Sequence, residues 1–223
     1  MICFNPGRAA EDGTYSEGAK NAAILVIIHE VGHNFFPMIV NSDERQWTWM
    51  DEGLNSYLKY LTQELWDDKF PSDAGPAYTM VDYMKKPKDE LEPIMTNSEN
   101  IVHFGSNAYD KVATGLNILR ETIVGRKLFD QAFREYSRRW AFKHPTPADF
   151  FRTIEDVTGE DLDWFWRGWF YSTESCDIAI DAVKHAVPNL FAIPRVTNDT
   201  IRMVNLQKPA VNDFEDISKI RNS

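Results

Sequence analysis

The chain has 223 residues, 43% of them hydrophobic and 13% aromatic, which is enough to bury a core and excludes a largely disordered segment. Its 34 acidic against 24 basic side chains leave a formal net charge of −10, the wrong sign for a protein whose main partner is a nucleic-acid backbone. Two cysteines, Cys3 and Cys176, exclude a thiolate metal site and a disulfide framework and leave room for one bridge at most.

In chain order, Met1-Ile-Cys-Phe is a short apolar run with no basic leader, expected to be the last strand of a sheet whose other strands lie upstream. Any targeting signal would precede it, so the compartment is not readable. Pro6–Glu17 reads as a loop. Gly18–Phe36 carries apolar residues on nearly every side (Ala22, Ala23, Leu25, Val26, Ile27 and Ile28 among them), the pattern of a buried helix, ended or bent by Pro37. Its longest apolar run, Ala22–Ile28, falls far short of the roughly 20 residues a membrane-spanning helix needs. A second helix is expected over Asp51–Trp66, with Leu54, Tyr57, Leu58 and Leu61 at helical spacing. After loops and a short helix at Tyr78–Met84, Asn107–Val124 shows a stripe of Val112, Leu116, Leu119 and Ile123, stopped by Gly125. Lys127–Phe142 is helical, and Thr146-Pro147-Ala-Asp149 starts a helix running to Thr158. A last, aromatic helix is expected over Glu160–Tyr171. Beyond it, Cys176–Val183 alternates like a strand, and Leu190–Val196 and Thr200–Leu206 form a hairpin around Asn198-Asp199. The tail after Lys208 is polar and offers no core.

The chemistry concentrates in His29-Glu30-Val31-Gly32-His33, an H-E-x-x-H motif inside the first helix. Side chains four apart project from one helix face, so both imidazoles can share a metal. A catalytic zinc takes three protein ligands and keeps one position open, and Glu30, next to the first ligand, lies where a general base toward water is needed. Two imidazoles and a carboxylate on an apolar helix must also find partners, because an unpaired buried charge is costly. Hydrogen-bonded core histidines are the plain alternative. The third ligand is expected to be a carboxylate from another helix. Glu52 lies nineteen positions after His33 at the start of the second helix. A glutamate in a first turn is ordinarily a surface residue complementing the helix dipole, but a helix returning beside the first places Glu52 opposite the histidines. Asp51 fits either an N-cap or a group that orients a zinc ligand.

With Glu52 set in Trp49-Met-Asp-Glu-Gly53, the stretch His29–Leu61 resembles the zinc site of the gluzincin aminopeptidases, the aminopeptidase N and leukotriene hydrolase family. The resemblance implies His29, His33 and Glu52 as zinc ligands and Glu30 as general base. It also implies an oxyanion-stabilising tyrosine in a Y-x-K context, matched by Tyr109-Asp-Lys111; without it, Tyr109 reads as an ordinary helix-face aromatic. Asp161-Leu-Asp-Trp164-Phe-Trp-Arg-Gly-Trp169-Phe170 is similar to the family's end of the catalytic domain. The family's G-x-M-E-N strand, whose glutamate holds the substrate α-amine, is absent. Elsewhere, His103, His144 and His185 read as structural or surface residues, the Trp-rich helix as core, and Arg134, Arg138 and Arg139 as a solvated face.

The expectation is a mainly α chain from an α+β parent: the helical portion of a thermolysin-like zincin catalytic domain over residues 1–173, then a short β appendage and polar tail over 174–223. The implied cofactor is one Zn²⁺ per chain. The implied activity is a zinc metallopeptidase of aminopeptidase type acting on peptides through zinc-activated water and Glu30. A gluzincin endopeptidase and a non-catalytic interaction module on the same scaffold stay open. No nucleic acid and no membrane-spanning segment are expected, and an upstream domain of the same parent chain is.

Overall fold

The computed structural model describes residues 9–174 and the backbone of two strands, 194–197 and 200–203. The chain divides into two compact units, Met1–Ser175 and Cys176–Ser223. The expected strand at Met1–Phe4, both cysteines, His185, the strand at Cys176–Val183 and the polar tail lie outside the described residues.

The first unit is helical. Helix α1 spans Glu17–Gly32, opened by Ser16, whose Oγ accepts from the Ala19 amide at 3.1 Å. Helix α2 spans Leu54–Trp66 and is preceded by a π-helical turn over Trp49–Gly53. A short 3₁₀ turn at Ala77–Met80 leads into α3 at Val81–Met84. A second π-turn at Gly105–Asp110 opens α4, Lys111–Ile118, and a third follows it at Leu119–Ile123. Gly125, at φ 91°, turns the chain into α5, Arg126–Trp140. Helix α6 spans Pro147–Thr158, with the Thr146 amide and Oγ1 both donating to Asp149 Oδ2 at 2.8 and 2.7 Å, and ends at Gly159 in the left-handed region. Helix α7 covers Asp163–Phe170.

The core forms where α5, α6 and α7 meet the start of α2. Phe129, Ala132, Phe133 and Tyr136 line one face of α5 at helical spacing and are buried. Trp49 stacks on Phe151 with centroids 5.8 Å apart and meets the Phe170 ring edge-on at 4.9 Å, while Phe151 stacks on Trp166 at 4.6 Å. Burying such side chains contributes about 1.5–3 kcal/mol each, which makes this aromatic block the anchor of the fold. Within α7, Phe165, Trp166 and Phe170 are core as expected, while Trp164 faces solvent. Arg138 and Arg139 pair with Glu135 and Asp156 at the surface.

One expectation is corrected and a second is extended. Helix α1, read as buried, has no buried residue, and Ile27 and Val31 are 44% and 54% exposed. Among the described residues α2 supplies its main cover and Tyr109 stacks on His29, so its all-round apolar surface reports a requirement that this unit does not itself fully meet. In α2 the expected stripe is only part of the buried face. Leu58 and Leu61 are partly covered, whereas Asn55, Ser56 and Gln63 are fully buried. The reason is that α2 packs against α1 on one side and α4 on another, so polar positions outside the stripe are enclosed too.

In the second unit, β1 (Pro194–Thr197) pairs antiparallel with β2 (Thr200–Met203), Thr197 opposite Thr200, around the two residues 198–199. Among the described residues no helix is long and apolar enough to cross a membrane.

Candidate active site

Three elements deliver the site. The end of α1 carries His29, Glu30 and, one residue past its last turn, His33. The π-turn before α2 carries Asp51 and Glu52, and the π-turn before α4 carries Tyr109. A π-turn inserts an extra residue into a helix and redirects side chains locally, and such turns recur at functional sites.

The candidate ligand atoms converge. His29 Nε2 lies 3.0 Å from His33 Nε2 and 3.0 Å from Glu52 Oε2, and His33 Nε2 lies 3.4 Å from the same oxygen. Ligands about 2.0–2.1 Å from a tetrahedral zinc stand roughly 3.3–3.4 Å apart, so this triangle has nearly the edge lengths of one face of such a site. His33 Nδ1 donates to the Phe36 carbonyl at 2.8 Å and lies 3.0 Å from Asp51 Oδ1. With Nδ1 carrying the proton, the Nε2 lone pair of the neutral ring points at the shared centre. His29 Nδ1 is buried and has no hydrogen-bond partner among the described residues. This donor set, two imidazole nitrogens and one carboxylate, fits Zn²⁺. Among the described residues a second group close enough to hold an ion, Glu155 with Asp161 and Asp163, is purely acidic and mostly exposed.

The charges are tightly linked. Burial draws the His33 pKa down, but the Asp51 and Glu52 carboxylates outweigh it and push it up to about 10. Burial likewise opposes ionisation of Glu52, yet His29, His33 and Tyr109 hold its pKa down at about 2. Asp51 is raised to about 6 by burial and by the neighbouring Glu52, against the pull of His33. The cluster therefore keeps Glu52 anionic, and a divalent cation would take the place of the proton that the two carboxylates otherwise hold on His33.

Tyr109 stacks on the His29 imidazole with centroids 5.7 Å apart and an interplanar angle of 22°. Burial raises its phenol pKa far above the ordinary value, reinforced by the nearby Glu52, Asp51 and Glu30 carboxylates, so the hydroxyl stays a donor at neutral pH. All six residues singled out in the sequence thus lie in one locality. His103 and His144 lie elsewhere: His103 sits edge-on to Tyr83, and His144 Nδ1 meets the Asn41 carbonyl at the surface.

Asn55 escaped the sequence reading. It is fully buried, and its Nδ2 donates to the His29 carbonyl at 2.8 Å, joining α2 to α1 beside the ligands. Its only local signal is a polar residue three positions after Glu52, next to the apolar stripe.

Comparison with known proteins places this geometry. Residues 1–169 match the profile described as the Peptidase family M1 domain. Aminopeptidase M1-D of Oryza sativa subsp. japonica is 23% identical over 167 residues, covering 71% of this chain and 19% of the relative. Aminopeptidase N of Streptomyces lividans is 22% identical, covering 69% of this chain and 19% of the relative. The probable aminopeptidase 1 of Sulfurisphaera tokodaii is 22% identical over 92% of this chain and 27% of its own length. The chain thus spans about a fifth to a quarter of the curated relatives it matches. A mutant M1 zinc metallopeptidase of Deinococcus radiodurans, solved with a Tyr-Ser-Ala substrate, superposes with a TM-score of 0.58 at 21% identity, covering 74% of this chain and 37% of that one. A profile match over most of the residues, on a helical frame shared with a solved M1 zinc metallopeptidase, settles the family: the chain belongs to the peptidase M1 family, for which zinc is the implied metal.

Proposed function

We propose that the chain carries the metal centre of a zinc aminopeptidase, with His29, His33 and Glu52 holding one Zn²⁺ and Glu30 and Tyr109 acting on a peptide substrate. The observation that carries this reading is the convergence of two Nε2 atoms and one carboxylate oxygen within 3.0–3.4 Å, with Tyr109 stacked alongside. When bound, the zinc ion supplies Lewis-acid polarisation of the peptide carbonyl and of water. Glu30 accepts a proton from the attacking water at its carboxylate and returns it to the departing amine nitrogen. The protonated Tyr109 hydroxyl donates to the oxyanion that develops on the carbonyl oxygen. The Phe36 carbonyl accepts from His33 Nδ1 and keeps its tautomer, with the Asp51 carboxylate beside the same nitrogen. The curated relatives are named as aminopeptidases, and that supports a free peptide N-terminus as the end attacked.

Residues 1–173 are read as the catalytic domain and 174–223 as an appendage. The greater length of the relatives and the uncovered apolar side of α1 support a further part of the parent protein that closes the cleft and recognises the substrate amine. The test uses the full-length protein that contains this chain. Glu30→Gln should retain one equivalent of zinc by elemental analysis and lose about 10²–10⁴-fold in kcat on an amino-acid p-nitroanilide. Stoichiometric zinc in His29→Ala would overturn the ligand set. Undiminished turnover in Glu30→Gln would overturn the base, and equal rates on N-acetylated peptides would move the enzyme to the endopeptidases.

A further inference from the structure

The stretch just before the turn that carries Tyr109 has little apolar packing to fix it. Between Ile101 and Ser106, Val102 and Phe104 are 79% and 42% exposed, and nothing lies within 4 Å of where a side chain on Gly105 would begin. A glycine-containing stretch with so little burial ordinarily samples many conformations. Two polar anchors hold it instead. The Glu92 carboxylate accepts the Val102 amide at 2.6 Å on one oxygen and the His103 amide at 3.1 Å on the other. Asn107, fully buried two positions before Tyr109, donates through Nδ2 to the Glu92 and Pro93 carbonyls, both at 3.0 Å. The same short stretch, Glu92-Pro93, therefore grips the segment on both sides of Phe104, and the Phe104 ring packs against Tyr109 with centroids 6.0 Å apart. Carboxylate-to-amide bonds are among the stronger neutral-to-charged hydrogen bonds, and the Asn107 amide sits where water cannot compete.

We propose that Glu92 and Asn107 are positioning residues that clamp the 102–107 segment and thereby hold the Tyr109 hydroxyl beside the metal site. The inference rests on the reading of Tyr109 as the oxyanion donor. A clamp of this kind acts on the rate of the chemical step and not on metal affinity, because none of its bonds touches His29, His33 or Glu52. Misplacing a catalytic group by about 1 Å costs up to roughly 100-fold in rate.

The experiment is a double-mutant cycle in the full-length, zinc-loaded protein, with kcat, KM and zinc content measured for each variant. Asn107→Ala should lower kcat by about ten- to a hundredfold with KM and zinc content unchanged, and should lower it no further in a Tyr109→Phe background. Glu92→Gln, which keeps one acceptor oxygen, should retain more kcat than Glu92→Ala. Amide exchange at Val102 and His103 should quicken in Glu92→Ala while the α5 and α6 amides stay protected, which separates loss of the clamp from general unfolding. A further drop of the same size on adding Asn107→Ala to Tyr109→Phe would overturn the clamp, as would loss of zinc in Asn107→Ala. If Tyr109→Phe alone leaves kcat intact, the oxyanion role fails and the proposal falls with it, a signature distinct from failure of the clamp.

Discussion

Gly32→Ala is the sharpest single test of how the proposed metal ligands are held. A Cβ on Gly32 would collide with Asn55 Oδ1 and stand 3.0 Å from Asn55 Cγ, while Asn55 Nδ2 bonds the His29 carbonyl at 2.8 Å. The clash has two ways to resolve. Asn55 can rotate away, which forfeits a hydrogen bond worth about 1 kcal/mol and leaves a fully buried amide unpaired at a further 1–3 kcal/mol or so. Otherwise α1 lifts off α2, carrying His29 and His33 away from Glu52. Alanine returns about 1 kcal/mol of helix propensity, so the net loss of stability by the first route is about 1–3 kcal/mol. Zinc affinity separates the routes, since a usable site tolerates only about 0.2 Å in its ligand distances. Because Asn55 is enclosed between α1 and the start of α2, the second route is expected to contribute. Zinc affinity by chelator competition should then fall at least about tenfold, with a lower unfolding midpoint for the metal-free protein. Adding Asn55→Ala to Gly32→Ala removes the obstacle and should restore most of the affinity. A Gly32→Ala variant with unchanged affinity and unchanged midpoint would refute the close approach itself.

Lys111 is 3% exposed, and burial, with no carboxylate offsetting it, lowers its pKa from 10.5 to about 8. Between those values the unfolded chain binds more protons than the folded one, so the Lys111 contribution to stability rises with pH across that window. Lys111→Met should therefore stabilise the protein at pH 7 by on the order of 3 kcal/mol, with the gain shrinking above pH 8; urea unfolding at pH 7 and pH 9.5 checks it, and a pH-independent difference would refute it. Asp149→Ala removes both bonds at Thr146, at 2.8 and 2.7 Å, and should cost about 1 kcal/mol, or roughly 2–4 °C in melting temperature. An unchanged melting temperature would mean that Pro147 and the buried Phe150 suffice to start α6.

Local signals were legible where the interaction is local. The hydroxyl-Pro-x-Asp start of α6, the Gly125 stop and the i, i+4 histidines all follow from spacing within a few residues, and each appears at its expected place. Helix boundaries slipped where tertiary contacts intervene. The helices read as starting at Asp51 and Asn107 both begin as π-turns, and nothing in a periodic apolar pattern distinguishes a π-turn from α. The Glu92–Asn107 clamp was invisible because its partners lie 15 residues apart and bond through backbone carbonyls, which carry no sequence signature. The burial of α1 was misjudged for a different reason. An all-apolar helix tells that something must cover it, but not whether that cover lies within the same unit.

The glycine that follows Glu52 explains why the proposed ligand and Tyr109 share one site. A Cβ on Gly53 would stand 2.6 Å from Val112 Cβ and 2.7 Å from the Ala108 carbonyl oxygen, both far inside contact distance. The turn bearing Glu52 and the turn bearing Tyr109 therefore touch backbone to backbone, an approach that any side chain on residue 53 would wedge open. Ala108 lies immediately before Tyr109, so such a wedge moves the phenol away from Glu52 before it moves the α1 histidines. Gly53→Ala should accordingly separate the two functions, slowing turnover while the metal remains bound. The opposite order, metal lost with kcat per zinc unchanged, would show that this contact sets the ligands and not the tyrosine. Physically, the Glu-Gly pair is one unit: the carboxylate supplies the proposed ligand, and the missing side chain supplies the close approach that the proposed role of Tyr109 needs.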